Sequence, residues 1–563
     1  SIERIFSCRK VLVSGLVADD EQPDSHDSRR TMLCEILWAI GGLALLDYAY
    51  FKLRFAGRNA PPTLYGLPFV GLLPLLVLPQ PLFDWVYKWI LHKAPDVFMI
   101  RLLRPTLIVK NDAIREMQLN EHCTSRPTLP FFDLMAQVLV NKKHWVYFDN
   151  GSREANDWRE SRRLSVAALY RLSRRETEQR LLDVIEVFLA EIDTRQGQDW
   201  DVHDELTISN IQASLYLTTG ETLESKEIMS MLNTVRGYFS HVLWLTVVLK
   251  FTPTALVHAV HILLPKMFRL DLHSRSLAVL VAKLQKSRRV ATERDDANDF
   301  IEAVMRVKSG DETQLFLQEV APFLIVANFH TSVATLSVLL VYLAAYPEYQ
   351  KKVVDEIRNI VGTEPPNMSH YEKMHFTKAF IHERYRMLPP ISYVGRLATE
   401  PTSIGGYQVS ANQPIIALFH SELWNQKNFE LPERFRPERH LDGNGIFVKS
   451  PHVEPFSRGR RDCIGKRLAT TTTFLYMVRL LQQFEVRSAR SDPIRIAGFD
   501  GRPVPDVQPQ KMCFVRRSDA PSLRTVHLKS GLLKAIRESF LEAEFGLFKK
   551  DLPPGDQTSN LQN

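Results

Sequence analysis

The chain has 563 residues, 45% hydrophobic and 24% charged, with apolar mass for a large core. Its net charge of +7 is spread along the chain without a long lysine or arginine run; this suits weak attraction to an anionic membrane or an acidic protein and speaks against a nucleic-acid partner. Five scattered cysteines (Cys8, Cys34, Cys123, Cys463 and Cys513) show no CxxC spacing, which argues against a disulfide framework or structural zinc and fits a reducing compartment.

Residues 1–31 are polar and mixed in charge and read as a leader. Residues 32–51, M-L-C-E-I-L-W-A-I-G-G-L-A-L-L-D-Y-A-Y-F, carry only Glu35 and Asp47 as charges, both near the ends. Twenty helical residues at about 1.5 Å each cover about 30 Å, the thickness of a bilayer core, so the stretch predicts a transmembrane anchor. Trp38, Tyr48 and Tyr50 suit the interface. Lys52, Arg54 and Arg58 after the span, against Arg29 and Arg30 before it, favour a cytosolic position for the rest of the chain. No small-residue cleavage pattern follows. Residues 52–71 are basic and then proline-rich, ending P-P-T-L-Y-G-L-P-F-V-G, a stiff hinge that would fix how the body sits on the bilayer.

The globular body is placed at 72–517. Short strands are expected at 97–102 and 106–110, with Asn111 or Asp112 capping a helix that starts near Ala113. From about 155 to 350 the pattern is mainly helical, with a long apolar helix at 314–346 stopped by Pro347. A further helix is expected at 371–387, closed by Pro389-Pro390, then strands at 392–397, 407–409 and 415–418. A helix at 466–483 and a last strand near 513–516 follow. Residues 518–563 read as a C-terminal tail with an amphipathic piece at 532–548. The predicted class is mostly α with a smaller β part and an N-terminal transmembrane helix.

Residues 456–465, F-S-R-G-R-R-D-C-I-G, place Cys463 just before the helix beginning near Gly465. Helix N-termini favour negative charge, and Arg458, Arg460 and Arg461 add positive charge, so the stretch is expected to favour a thiolate. Gly459 permits a tight turn, and Gly465 is expected to let backbone approach the sulfur. One accessible thiolate with no second protein ligand nearby fits a metal whose other positions a macrocycle fills, as in cysteine-ligated haem.

The stretch resembles the cytochrome P-450 haem-loop pattern F-x-x-G-x-R-x-C-x-G at Phe456, Gly459, Arg461, Cys463 and Gly465. Further matches occur in the family's order and cover about 60–517. Glu383-Arg384-Tyr385-Arg386 resembles the family's E-x-x-R, with Glu383 and Arg386 on one helix face. Pro432-Glu433-Arg434-Phe435 resembles its P-E-R-F, so Arg434 is expected to join that pair in a buried structural trio. Trp158 and Arg162 match its W-x-x-x-R. The resemblance implies the cytochrome P-450 fold, haem b held by Cys463, and haem propionates contacted by Trp158, Arg162, Arg396 and Arg461.

The long helix carries A-N-F-H-T-S at 327–332, where the family pattern is A/G-G-x-D/E-T-T/S. Ala327, Thr331 and Ser332 match; Asn328 replaces the glycine and His330 the acid. By resemblance, Thr331 steadies bound dioxygen and Ser332 completes the matching pair of positions; His330, a residue type that can titrate near neutral pH, could replace the acid of the proton relay, the alternative being a histidine that pairs with a neighbouring helix and has no relay role. The histidine–threonine pair resembles filamentous-fungal members that oxidise diterpenes, indole diterpenes and meroterpenoids. Substrate walls are placed by resemblance at Phe131, Phe132, Phe323, Phe329, Ile391 and Val394, an aromatic pocket suited to a hydrophobic polycyclic molecule. No flavin or nucleotide motif is present, so NADPH electrons are expected from a separate membrane-bound cytochrome P-450 reductase, docked on the basic face around 458–461. The resemblance implies a monooxygenase on the endoplasmic reticulum membrane, single-pass, with its catalytic domain in the cytosol. A reductase-independent haem-thiolate isomerase or dehydratase and a non-catalytic haem-binding protein are the alternatives.

Overall fold

The computed structural model describes residues 41–50, 52–53, 59–64, 80–101, 105–126, 153–195, 197–222, 228, 297–307, 311–490, 494 and 510–526. The predicted leader, the first part of the anchor, most of the hinge, Phe131, Phe132 and the amphipathic piece at 532–548 lie outside these residues, as does the side chain of Phe323.

In chain order the first elements are helix α1 (41–50), β1 (Thr63–Leu64), α2 (Gln80–His92), β2 (Val97–Arg101), β3 (Pro105–Val109) and α3 (Asp112–Leu119). The helical middle holds α4 (Arg153–Tyr170), α5 (Arg174–Thr194), the short β4 (Asp199–Asp201), α6 (His203–Thr219), α7 (Phe300–Val307) and α8 (Asp311–Ala345). Then come α9 (Pro347–Ile360), α10 (Met368–Lys373), α11 (His375–Met387), β5 (Tyr393–Leu397), β6 (Thr402–Ile404), β7 (Tyr407–Val409), β8 (Pro414–Leu418) and α12 (Phe419–Leu423). Helix α13 (Lys466–Gln483) and strands β9 (Phe484–Ser488) and β10 (Lys511–Arg516) complete the order. The fold is mostly helical with a smaller β part.

The larger sheet runs β1-β2-β3-β8-β5. Its β2, V-F-M-I-R, has Val97, Phe98 and Met99 buried in succession, so both of its faces are covered. Strands β4-β10-β9 make a second, antiparallel sheet, which brings Cys513 near the end of the chain opposite Asp199 in its middle. β6 and β7 form a hairpin across Gly405 and Gly406, both at positive φ as a two-residue turn requires.

Helix α8 is the spine. Its part Ala327–Ala345 is long and apolar enough to cross a membrane but is mostly buried in the protein. A helix apolar on all sides is a core helix, and neighbouring helices cover this one. Its second half packs with α5, α6, α11 and α13 in the main core, through residues such as Leu189, Leu339, Phe380 and Phe474. Its first half packs with α4 and α7 in a second cluster that includes Trp158, Phe300 and Leu317.

The fold corrects two expectations. The predicted helix at 371–387 is two helices, α10 and α11, meeting at buried Met374. Asn367 caps α10 reciprocally with His370, and the Glu356 carboxylate on α9 accepts the backbone N–H groups of Phe376 and Thr377 at 2.9 and 2.8 Å, capping α11 from a distant helix. Asn111 precedes α3 at φ 49 but makes no side-chain cap bond; its amide donates to Asp96 at 2.6 Å instead. Beyond β10 the chain keeps packing: Leu523 lies on the main core and the Arg524 N–H donates to Glu186 at 3.1 Å.

Candidate active site

Four contacts shape the Cys463 loop. The Cys463 N–H donates to the Phe456 carbonyl at 2.8 Å, closing the turn. Gly459 has φ 74, and a Cβ there would stand 2.2 Å from the Gln118 carbonyl oxygen, so the end of α3 requires glycine at this point. The Gln118 side chain also donates to Ser457 Oγ at 3.0 Å. Phe456 packs edge-on to Tyr385 of α11, with ring centroids 6.0 Å apart. Gly465 is different: a Cβ there would meet Cys463 Sγ at 3.9 Å, an ordinary contact, so protein atoms alone do not demand glycine.

Cys463 is accessible, whereas Cys123 and Cys513 are buried. Yet burial is the main influence on its thiol and raises its pKa. The thiol is thus open at its surface while protein atoms crowd around it. The Gly465 N–H, Arg162 and Lys466 act in the opposite direction, while Asp462 adds to the rise. The three arginines of the loop are not what acts on the thiol: Arg458 donates to the Pro451 carbonyl, Arg460 faces Glu121 at 3.5 Å, and Arg461 Nε donates to the Thr124 carbonyl at 2.7 Å. The groups that favour a thiolate are therefore outweighed by burial in the protein alone; a bound metal cation would shift the balance.

Of the other expected cofactor contacts, Arg461 reaches Trp158 and Arg162 is tied to the loop. The Arg461 guanidinium lies 3.7 Å from the ring centroid of buried Trp158, a cation–π contact of about 0.5–2 kcal/mol. Arg162, on the same helix as Trp158, donates to the Asp462 carbonyl at 3.0 Å and to its carboxylate, tying α4 to the residue before Cys463. Arg396, 2% exposed on β5, donates among the described residues only to the Gly395 carbonyl. Burial, then neighbouring Arg126, pushes its pKa down to about 9. Two guanidinium groups brought together in a buried place suit an anionic ligand. The residues present thus fit haem: one accessible thiol and a buried cationic group for carboxylates. Arg126 was missed by sequence reasoning, because no motif flags T-S-R-P at 124–127.

On α8, Thr331 Oγ1 donates to the Ala327 carbonyl at 2.9 Å. Asn328 donates to Ser214 of α6 at 2.9 Å, and buried Ser332 reaches the Asn328 carbonyl oxygen at 3.5 Å. His330 is exposed and lies edge-on to Phe329, with centroids 6.3 Å apart. Phe329 and Val394 are half-buried and pack partly on core clusters, and Ile391 is half-buried.

Behind the loop, Glu383 and Arg386 are fully buried and pair bidentately at 2.8 and 2.9 Å. Arg434 does not complete the trio. Its side chain is exposed, and it offers only its carbonyl oxygen, to Arg386 and Arg439 at 3.1 Å each. The third arginine is Arg439, donating Nε to Glu383 at 2.9 Å, joined by His440 at 2.8 Å and the Arg436 N–H at 2.9 Å. The chain carries P-E-R twice, at 432–434 and 437–439, and the second copy is used. Burial would raise the Glu383 pKa, but the His440 and Arg386 hydrogen bonds hold it at about 2.

The family model for cytochrome P450, written here cytochrome P-450, matches residues 61–503. The chain is similar to cytochrome P-450 2C23 of Rattus norvegicus, 27% identical over 502 residues that cover 84% of this chain and 97% of the relative. It is similar to cytochrome P-450 2J2 of Homo sapiens, 26% identical over 498 residues, 82% of this chain and 94% of the relative. With a family match over most of its length, the chain belongs to the cytochrome P-450 family and is an oxidoreductase of the monooxygenase class.

Proposed function

We propose that this monooxygenase inserts oxygen from O2 into a hydrophobic small molecule, a terpenoid-type secondary metabolite, using NADPH electrons from a separate cytochrome P-450 reductase at the endoplasmic reticulum membrane. The observation that carries the reading is Cys463, an accessible thiol in a loop that Arg162 ties to α4 and whose Arg461 stacks on Trp158. Cys463 would ligate the iron of haem b, and Trp158, Arg162, Arg396 and Arg461, with Arg126, would face its carboxylates. When bound, haem supplies the activation of dioxygen by two electrons and two protons, with one oxygen atom going to the substrate and the other to water.

The chain does the rest. Phe456 and Gly459 hold the loop against α11 and α3. The Thr331 hydroxyl and the exposed His330 imidazole hold the proton on α8, with Ser332 and Asn328 behind them. Phe131, Phe132, Phe323, Phe329, Ile391 and Val394 would exclude water and seat an apolar substrate. The terpenoid class rests on the His330–Thr331 pair.

The test is turnover of a terpenoid panel by the full chain with and without reductase and NADPH. Product that depends on both is expected, and His330→Ala should consume NADPH without matching product. Turnover without either would favour an isomerase or dehydratase; unchanged coupling in the variant would return His330 to a packing role.

A further inference from the structure

Asn328 stands in the middle of α8, where the family pattern has glycine. Helix preference does not explain it, because asparagine is a weaker helix former than alanine or leucine and its amide competes for nearby backbone groups. A polar side chain between packed helices needs a partner there. The half-buried Asn328 finds it on another helix: its Nδ2 donates to Ser214 Oγ of α6 at 2.9 Å.

Ser214 is set up to receive that bond. It is 1% exposed, and its own hydroxyl proton goes to the Asn210 carbonyl at 2.8 Å. Its oxygen is therefore an acceptor towards α8. Other buried polar side chains of α6 turn back on their own helix: Thr207 donates to the His203 carbonyl, Asn210 to the Leu206 carbonyl and Thr219 to the Leu215 carbonyl. Ser332, one turn beyond Asn328, aims its hydroxyl at the Asn328 carbonyl oxygen at 3.5 Å, so three groups donate in one direction, from α8 into α6. Further along α8, the Ala334 carbonyl accepts from fully buried Arg384 of α11 at 3.0 Å. Thr331, whose hydroxyl donates to the Ala327 carbonyl, lies midway between these two fixed points.

We propose that Asn328 and Ser214 are positioning residues for the monooxygenase reaction: their hydrogen bond ties α8 to α6 and fixes the turn that presents the Thr331 hydroxyl, against the second fixed point on α11. The inference rests on the placing of Thr331 in the proton-holding site. A glycine at 328 would offer no such bond, so in this chain the neighbouring helix supplies the stiffness of the turn. Misplacing a reacting group by about 1 Å can cost about a hundredfold in rate, even when the change is remote from the chemistry.

Carbon monoxide on the reduced full chain is the probe, because its infrared stretch responds to polar groups beside it. Ser214→Ala deletes one oxygen, and Asn328→Leu deletes the amide. Each should shift and broaden the C–O band, and the double variant should shift it no further than the larger single change, since both remove one bond. Ser214→Thr keeps the acceptor and should keep the wild-type band. With a cytochrome P-450 reductase and NADPH, both single variants should release several-fold more hydrogen peroxide per NADPH consumed. A lowered Tm with an unmoved band and unchanged peroxide yield makes the bond structural only and overturns the inference. Shifts that add in the double variant overturn it too, because the two residues then act separately. Thr331→Val should itself move the band and the peroxide yield; if it moves neither while Asn328→Leu moves both, the reading of Thr331 fails and the inference falls with it, although the bond between α8 and α6 stands.

Discussion

Arg434 and Arg439 are the same residue type in the same tripeptide, yet only one of them is buried against Glu383. The Glu383 carboxylate accepts five hydrogen bonds, two from Arg386 and one each from Arg436, Arg439 and His440. Removing one partner from a buried charged network leaves the others desolvated and unmatched, at about 3–5 kcal/mol. Arg439→Ala should therefore lower unfolding stability by about 3 kcal/mol, and Arg434→Ala by about 0.5 kcal/mol or less, both read by denaturant unfolding. Equal losses would contradict this assignment. The E-x-x-R spacing made the pair legible, because i, i+3 residues share a helix face. The third partner was not legible, since two identical tripeptides differ only in the path the chain takes through them.

The contact between α3 and the cysteine loop sets a second expectation. Gly459 sits at positive φ with α3 backbone where a side chain would begin. Gly459→Ala must either strain that turn, at about 1–3 kcal/mol, or push the loop from α3. Haem retention after gel filtration should fall and the Tm should drop, whereas an unchanged Tm with full haem content would contradict the packing described. Helix α13 was legible at both ends, where the N-terminal signal at Gly465 and the change of pattern at Phe484 are local. The start of α11 was not, because its cap is Glu356 on another helix. Strands β4 and β9 were equally hidden, since a three-residue D-W-D strand exists only by pairing with β10.

Taken together, the folded chain buries two histidines whose charge it cannot accept. Burial holds His382 and His420 at about 3, with His440 adding to the effect at His382. An unfolded chain would titrate them near about 6.5. Their folded pKa values are depressed, so their contribution is fully present above that value and is lost as pH falls below it, by about 1.4 kcal/mol per pH unit for each histidine. Glu383, also depressed, adds a further loss once pH falls below about 4.3, the unfolded carboxylate value. Denaturant unfolding at pH 7.5 and pH 5 should thus show markedly lower stability in acid, and a flat profile would mean that these histidines are hydrated in solution. The gross class was legible across the molecule, because long apolar periods and motifs in family order survive without contacts. The carbon monoxide difference spectrum of the reduced, purified full chain bears most directly on Cys463 as the ligand of haem iron. A strongly red-shifted Soret band that is lost in Cys463→Ser is expected; a band typical of histidine-ligated haem, or an unchanged band in Cys463→Ser, would contradict the assignment.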